Sequence, residues 1–231
     1  MVDAELIKEL KENYGITFNN IDLLNEAFTH SSYANEHQEL GIHNNERLEF
    51  LGDAVLELTV SDYLYKKYPN LSEGKLTRLR AEIVQTRSFS SFSKEAHFDK
   101  YIKLGNGEER AGARKRATLL EDLFEAFNGA LYLDQGKEAV INFLSQIVFP
   151  KIDEGNFSIF MDYKTHLQEY LQRNGTVNIS YNLLSENVKN NKRYFKVSVS
   201  VDGKLLATGN GKNKKFAEQE AAKKALENIK K

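Results

Sequence analysis

Two folds in series are predicted, an all-α domain over residues 1–150 and a small α+β domain over residues 162–231 with the element order α-β-β-β-α. A connector at 151–161 joins them. Three observations carry this. Up to Val148 the apolar residues recur at helical spacing, with no useful run of strand alternation. Beyond Pro150 the period falls to two, at Phe195, Val197, Val199 and Val201. The charge also divides there: residues 162–231 carry 14 Lys/Arg against 7 Asp/Glu, whereas residues 1–161 carry 18 against 26. The overall net charge of −1 hides that split.

The elements follow in order. Ala4 to Tyr14 has apolar residues one helical turn apart, and Asn20 is a fitting cap for a helix from Ile21 to Thr29. Asn44 or Asn45 opens a long helix to about Lys67, where Pro69 stops it. Ser72 caps a helix from Glu73 to about Val84, and Arg87 to Ala96 forms another. Gly105-Asn106-Gly107 reads as a turn before the basic run Arg110–Arg116. Helices from Thr118 to about Leu133 and from Lys137 to Val148 complete the first domain. In the second, a helix from Lys164 to Asn174 precedes strands at Val177–Leu184 and Tyr194–Val201. Asp202-Gly203 is a hairpin-turn pair, a third strand covers Lys204–Thr208, and a helix from about Lys214 to Ile229 ends the domain.

Composition narrows the chemistry. No run approaches the roughly 18 apolar residues of a membrane span, and the first residues lack the pattern of a secretory signal, so no membrane partner and a cytoplasmic location are expected. The chain has no cysteine, which removes disulfides, thiolate zinc sites and cysteine nucleophiles. The five histidines show no zinc spacing, and His30 reads as a hydrogen-bonded structural residue. No strand precedes Gly105–Gly107, so it is not read as a nucleotide loop, and no organic cofactor is expected. The basic second domain suits a polyanion, since each neutralised phosphate releases counterions.

The segment NNERLEFLGDAVL, residues 44–56, carries the sharpest signal. At about 100° per residue, Glu46, Glu49 and Asp53 lie within about 60° of one another on a helix. Leu48, Leu51, Val55 and Leu58 fall opposite and are expected in the core. Phe50 stands beside the acids, where a monomer would expose it, and contact with a second copy of the chain is expected. A second acidic pair, Asp122 and Glu125, lies one turn apart on a later helix. Stacked carboxylates repel unless cations neutralise them, and such hard oxygen ligands suit Mg²⁺. Three acids on one helix face are also what an ordinary solvated face looks like, so spacing alone leaves both readings open.

NERLEFLGDAVL, residues 45–56, resembles the signature segment of the bacterial ribonuclease III family. The resemblance extends to FTHSSY (28–33), SEGKLTRLR (72–80), EDLFEA (121–126) and GALYLD (129–134). It implies an all-helical, dimeric endonuclease domain over 1–150 that hydrolyses double-stranded RNA with Mg²⁺-activated water, Mn²⁺ being a candidate substitute. Products would carry 5′-phosphates, 3′-hydroxyls and short 3′ overhangs, in processing of ribosomal precursors, messages and other structured RNAs. By the same resemblance Glu49, Asp53, Asp122 and Glu125 match the metal-binding cluster, with Asp53 and Glu125 the positions on which hydrolysis most depends. Glu46 and Glu73 match accessory acids of the cleft near the dimer interface, and Phe50 an aromatic that docks into the partner subunit. Two positions depart from the pattern. Glu121 stands where many relatives carry a small residue, and its 100° offset from Asp122 leads to the expectation that it faces away from the metals. Asn128 stands where an aliphatic residue is common.

Residues 162–231 resemble the double-stranded-RNA-binding domain. Thr165, Gln168 and Glu169 match the helix face that meets an RNA minor groove. KNKKFAEQEAA, residues 212–222, resembles its basic helix start. Lys212, Lys214 and Lys215 would surround a helix N-terminus, where the dipole and free N–H groups also favour phosphate. The first inter-strand loop reads VKNN where relatives usually have Gly-Pro-x-His, so Asn191 is the remaining candidate for a 2′-hydroxyl contact. The rival from another class is a dimer that holds duplex RNA without cutting it; loss of Asp53 or Glu125 would have favoured that reading, and both are present.

Overall fold

Side-chain hydrogen bonds set the first helix starts. Asp3 Oδ1 accepts from the Glu5 N–H at 2.8 Å and opens α1, Ala4–Tyr14; Asn20 Oδ1 accepts from Asp22 N–H at 3.0 Å and opens α2, Ile21–Ala27. The computed structural model describes residues 2–153, 163–172, 176–189 and 192–229. Its contacts divide the chain into two units, Met1–Phe157 and Ser158–Lys231.

In the first unit α3 spans Ser31–Glu36, α4 Glu46–Lys67, α5 Glu73–Ile83, α6 Thr86–Glu95, α7 Asn106–Arg110, α8 Ala117–Gln135, α9 Lys137–Ile147 and α10 Phe149–Asp153. α8 is buried on nearly every side from Leu119 to Leu131, which makes it the axis about which the others pack. Its rings build the centre: Phe127 lies 4.6 Å from Phe98 and 5.0 Å from Phe143, and Phe124 lies 5.2 Å from Phe89.

Several sequence expectations change here. α3 is absent from the sequence reading because its six residues show no apolar period; His30 caps it, its Nδ1 accepting from Ser32 N–H at 3.2 Å and bonding Ser32 Oγ at 2.8 Å. The structural role expected of His30 is thus what the structure gives. Ser72 precedes α5, but its hydroxyl makes no capping bond; its carbonyl accepts from Lys75 and Leu76. Gly105-Asn106-Gly107 is the start of α7, because Glu36 Oε2 accepts from the Asn106 backbone and side-chain amides at 3.0 and 2.7 Å. The expected connector begins inside α10, where Ile152 is buried and Asp153 accepts from Tyr63 Oη at 2.7 Å and Lys67 Nζ at 3.1 Å. Residues 154–161 of that connector lie outside the described residues.

In the second unit α11, Tyr163–Gln172, precedes β1, Ile179–Lys189, β2, Lys192–Val201, and β3, Lys204–Gly211, and α12, Lys214–Ile229, follows. The sheet is antiparallel in the order β1-β2-β3. β1 starts two residues later and runs longer than its sequence reading, so Val188 and Lys189 belong to the strand rather than to the loop. The two-residue turn at Asp202-Gly203 has φ 49° and 81°, the left-handed pair that lets a tight hairpin follow the strand twist. Val197 and Val199 of β2 are buried on the helix side, where Leu167, Ala221, Ala222, Ala225 and Leu226 form the core.

Asn128 is fully buried in α8, its Nδ2 donating to the Phe124 carbonyl at 2.8 Å while its Oδ1 has no partner. A buried unpaired acceptor costs about 1–3 kcal/mol. Asn128→Leu, which keeps the number and branching of the side-chain heavy atoms, is therefore expected to raise the calorimetric midpoint of the helical unit by about 2–4 °C, and an unchanged or lower midpoint counts against this account.

Candidate active site

Glu46, Glu49 and Asp53 project from the first two turns of α4, and Asp122 and Glu125 from α8. A glycine crossing joins the two helices. A Cβ on Gly52 would lie 1.8 Å from the Glu125 carbonyl oxygen, and one on Gly129 would lie 2.2 Å from that of Leu48. Glycine inside a helix costs about 1 kcal/mol relative to alanine, a loss that backbone-to-backbone packing offsets here. Asp53 follows Gly52 directly, and Glu125 sits one turn before Gly129, so the crossing sets the acids against one another.

The rotation of α4 differs from the sequence expectation. Its buried face is Leu48, Gly52, Val55, Leu56, Thr59, Val60 and Leu64, with Leu51 half-buried and Leu58 60% exposed. Packing through Gly52 turns the core side of the helix toward Leu56 and Val60 and leaves Leu58 outside. Phe50 is 81% exposed beside the acids, as its position on the wheel implies.

Glu125 is nine-tenths buried among like charges. Burial, then Asp53, Glu121, Glu49 and Asp122, push its carboxyl up to about 8. Burial first, then Asp122, Glu46, Glu121 and Asp53, push Glu49 up to about 7. Asp122 is raised too, by burial and then Glu121, with Arg116 opposing. The structure therefore brings Glu49, Asp53, Asp122 and Glu125 into one electrostatic group with Glu46 at its edge, where Asn44 Nδ2 donates to Glu46 Oε2 at 3.2 Å.

Glu73 stands apart in the single chain. On α5 it accepts from Thr77 Oγ1 at 2.9 Å and lines a cavity of about 540 Å³ with Leu58, Tyr65, Leu71 and Arg80. Glu121, expected to face away, is half-buried and its charge raises Glu125, Glu49 and Asp122. Its angle from Asp122 is about 100°, but it stands four residues before Glu125, only about 40° away on the wheel. That spacing was the signal that could have found it.

The donor set is all carboxylate oxygen, and Glu125 accepts no hydrogen bond among the described residues, so these residues fit a hard divalent cation. Among the described residues, no three His, Asp or Glu side chains converge at metal-ligating distances. In the basic run, Arg114 is committed to the fold, bridging Glu109 at 2.7 Å and the Asp99 carbonyl at 2.9 Å, and Arg116 pairs with Glu108 at 3.0 Å.

In the second unit, Asn213 Oδ1 accepts from Phe216 N–H at 2.9 Å and caps α12, with Lys212, Lys214 and Lys215 exposed around that end. Lys212 Nζ lies 4.7 Å over the Phe216 ring. On α11, Thr165 is half-buried and Gln168 exposed, while the Glu169 side chain and Asn191 lie outside the described residues.

Residues 20–152 match a family model described as Ribonuclease-III-like, and residues 163–229 one described as a double-stranded RNA binding motif. The chain is similar to a protein named Ribonuclease 3 from Latilactobacillus sakei, 66% identical over 99% of this chain and 100% of that one. It is also similar to a Ribonuclease 3 from Enterococcus faecalis, 58% identical over 99% of each. Among solved structures, the nuclease domain of ribonuclease III from Campylobacter jejuni, described for flexibility in a region involved in dimer formation, is similar at a TM-score of 0.56. It is 37% identical and covers 61% of this chain and 95% of that one. No helix among the described residues is long and apolar enough to cross a membrane.

Raised carboxyl groups link stability to pH. Glu125 and Glu49 hold protons in the folded chain that the unfolded chain releases near 4.5. The stabilisation is complete below about pH 4.5 and is lost as pH rises through 7 to 8. In a metal chelator, the midpoint of the helical unit is expected to fall by several degrees between pH 5 and pH 8.5, and Glu125→Gln to flatten that fall. A wild-type midpoint that stays level over the same range would contradict the electrostatics.

Proposed function

The chain belongs to the ribonuclease III family and is a ribonuclease III enzyme, and from that premise we propose that it hydrolyses double-stranded RNA at the α4–α8 carboxylate cluster with magnesium as its ion. The single observation that carries this is the α4–α8 backbone contact, which tolerates no side chain and sets acids of both helices into one electrostatic group around Glu125. Glu49, Asp53, Asp122 and Glu125 would hold the cation, with Mn²⁺ a candidate substitute. When bound, such an ion supplies a Lewis acid and water of lowered pKa.

The chain's own groups do the rest. Glu125 and Glu49 release their protons to become ligands, so ion binding competes with protonation. Burial of Glu125 in α8 restricts where its oxygens point. The cleft repels phosphates until its charge is neutralised, so the ion aids both binding and hydrolysis. Lys212, Lys214 and Lys215 take duplex phosphates at the start of α12, and Thr165, Gln168, Glu169 and Asn191 meet the minor groove. Tethering that module to the nuclease unit raises the local concentration of duplex. The products are 5′-phosphates and 3′-hydroxyls with short 3′ overhangs, and the substrates include ribosomal precursors and other structured RNAs.

A homodimer supplies two such sites, one for each strand. Phe50 is a large exposed ring, and the cavity at Leu58, Leu64, Leu71 and Leu76 offers an apolar seat for the partner's ring. That arrangement would also give Glu73, on the same cavity wall, a place near the partner's acids.

A long, fully paired RNA labelled at both ends tests the chemistry. Mg²⁺-dependent cuts with 5′-phosphates and staggered 3′ ends are expected, with Glu125→Gln lowering the rate by about 100-fold or more. Tight binding without cleavage in either Mg²⁺ or Mn²⁺ would overturn the nuclease reading. Separately, Phe50→Ala is expected to shift sedimentation from dimer to monomer at micromolar concentration, and an unaltered dimer would remove Phe50 from the interface.

A further inference from the structure

We propose that Glu121 is a positioning residue of this same site, a fifth carboxylate whose charge holds the hydration shell of the bound cation and sets how much cation the enzyme needs. The inference rests on the metal-cluster reading above and extends it to a residue outside the family's matched set.

The geometry begins on α8. Taking Glu121 as zero, Asp122 stands at about 100° and Glu125 at about 40°, so Glu125 lies between the other two and one turn along. Glu121 is therefore closer in angle to Glu125 than Asp122 is, and like Asp122 it is half-buried. The glycine crossing presents Glu49 and Asp53 of α4 to the same stretch of α8. Among the charges acting on Glu125, Glu121 ranks second only to Asp53, ahead of Glu49 and Asp122. It acts on Glu49 and Asp122 as well.

The nearby cations do not neutralise it. Arg116 pairs with Glu108, Arg114 with Glu109, and among the described residues Glu121 forms no ion pair or hydrogen bond. A half-buried carboxylate next to four others is costly unless positive charge arrives. A small divalent ion keeps several of its waters when bound by few protein oxygens, and those waters are donors that a neighbouring carboxylate accepts. Groups that orient metal ligands without touching the ion typically change its affinity by about 10- to 100-fold.

The test is cation binding itself, read on the full chain by the loss of the free Mn²⁺ electron paramagnetic resonance signal, with no RNA present. Glu121→Gln is expected to weaken Mn²⁺ binding by about 10-fold and to raise the Mg²⁺ concentration at half-maximal cleavage by a similar factor. Turnover at saturating Mg²⁺ should stay within about twofold of wild type. Glu121→Ala, a small side chain of the kind many relatives carry there, should behave alike, which separates lost charge from lost fold. An Mn²⁺ isotherm for Glu121→Gln that overlays wild type, while Glu125→Gln weakens binding, overturns the role of Glu121 and leaves the site standing. If neither variant changes the isotherm, the site reading fails with it. A turnover defect in Glu121→Gln that excess Mg²⁺ does not restore also overturns the proposal, because it would make Glu121 part of the chemical step.

Discussion

The contact between Gly52 and Gly129 is the constraint on which the helical unit depends. Two long helices touch backbone to backbone there, and each missing side chain is replaced by a carbonyl of the partner helix. A gap of even a methyl group would part α4 from α8 and separate the acids of one from those of the other. The contact lies in a well-filled region, with Phe124 and Phe127 on the far side of α8 locking it against α6, α9 and the Phe98 segment. The aromatic core therefore fixes the position of the acid group as well as the stability of the fold.

That rigidity is set against an unfavourable charge arrangement. Five carboxylates share the region, and two of them are shifted to about 7 and about 8 without a counter-ion. The packing energy of α8 has to exceed the repulsion it enforces. Perturbed groups clustered in a cleft are the usual mark of a working site, and stability given up in one place is recovered by packing elsewhere. The ordinary surface acids behave in the opposite way: Glu36, Asp62 and Glu109 are held below the usual carboxylate range by donors that face them.

Helix positions were legible in the sequence wherever an apolar period ran for three turns or more. α1 and α12 have the bounds their sequence predicts, and α4 ends where Pro69 requires. Short elements were not legible: α3 and α7 are made by side-chain hydrogen bonds from His30 and Glu36, and a six-residue helix has no period to read. The acids at Glu49, Asp53, Asp122 and Glu125 stand out in the sequence by spacing and resemblance together. Glu121 is hidden when its angle is taken from Asp122 rather than from Glu125, and Leu58 is not legible because the wheel alone does not show that a glycine can be the centre of a buried face. Within the basic run Arg110–Arg116 the sequence does not distinguish one arginine from another, and Arg114 is a structural strut.

The short helix α10 has a bearing on where the chain can be divided. Phe149 stacks on Tyr63 with ring centres 3.9 Å apart, and Asp153 ties down both Tyr63 and Lys67. These are the last turns of α4, the helix whose first turns carry Glu49 and Asp53. A fragment ended at Pro150, where the change of composition suggests the border, would keep the Phe149 stack but strip Tyr63 and Lys67 of the carboxylate they share, so a nuclease fragment that keeps both ties has to include Asp153.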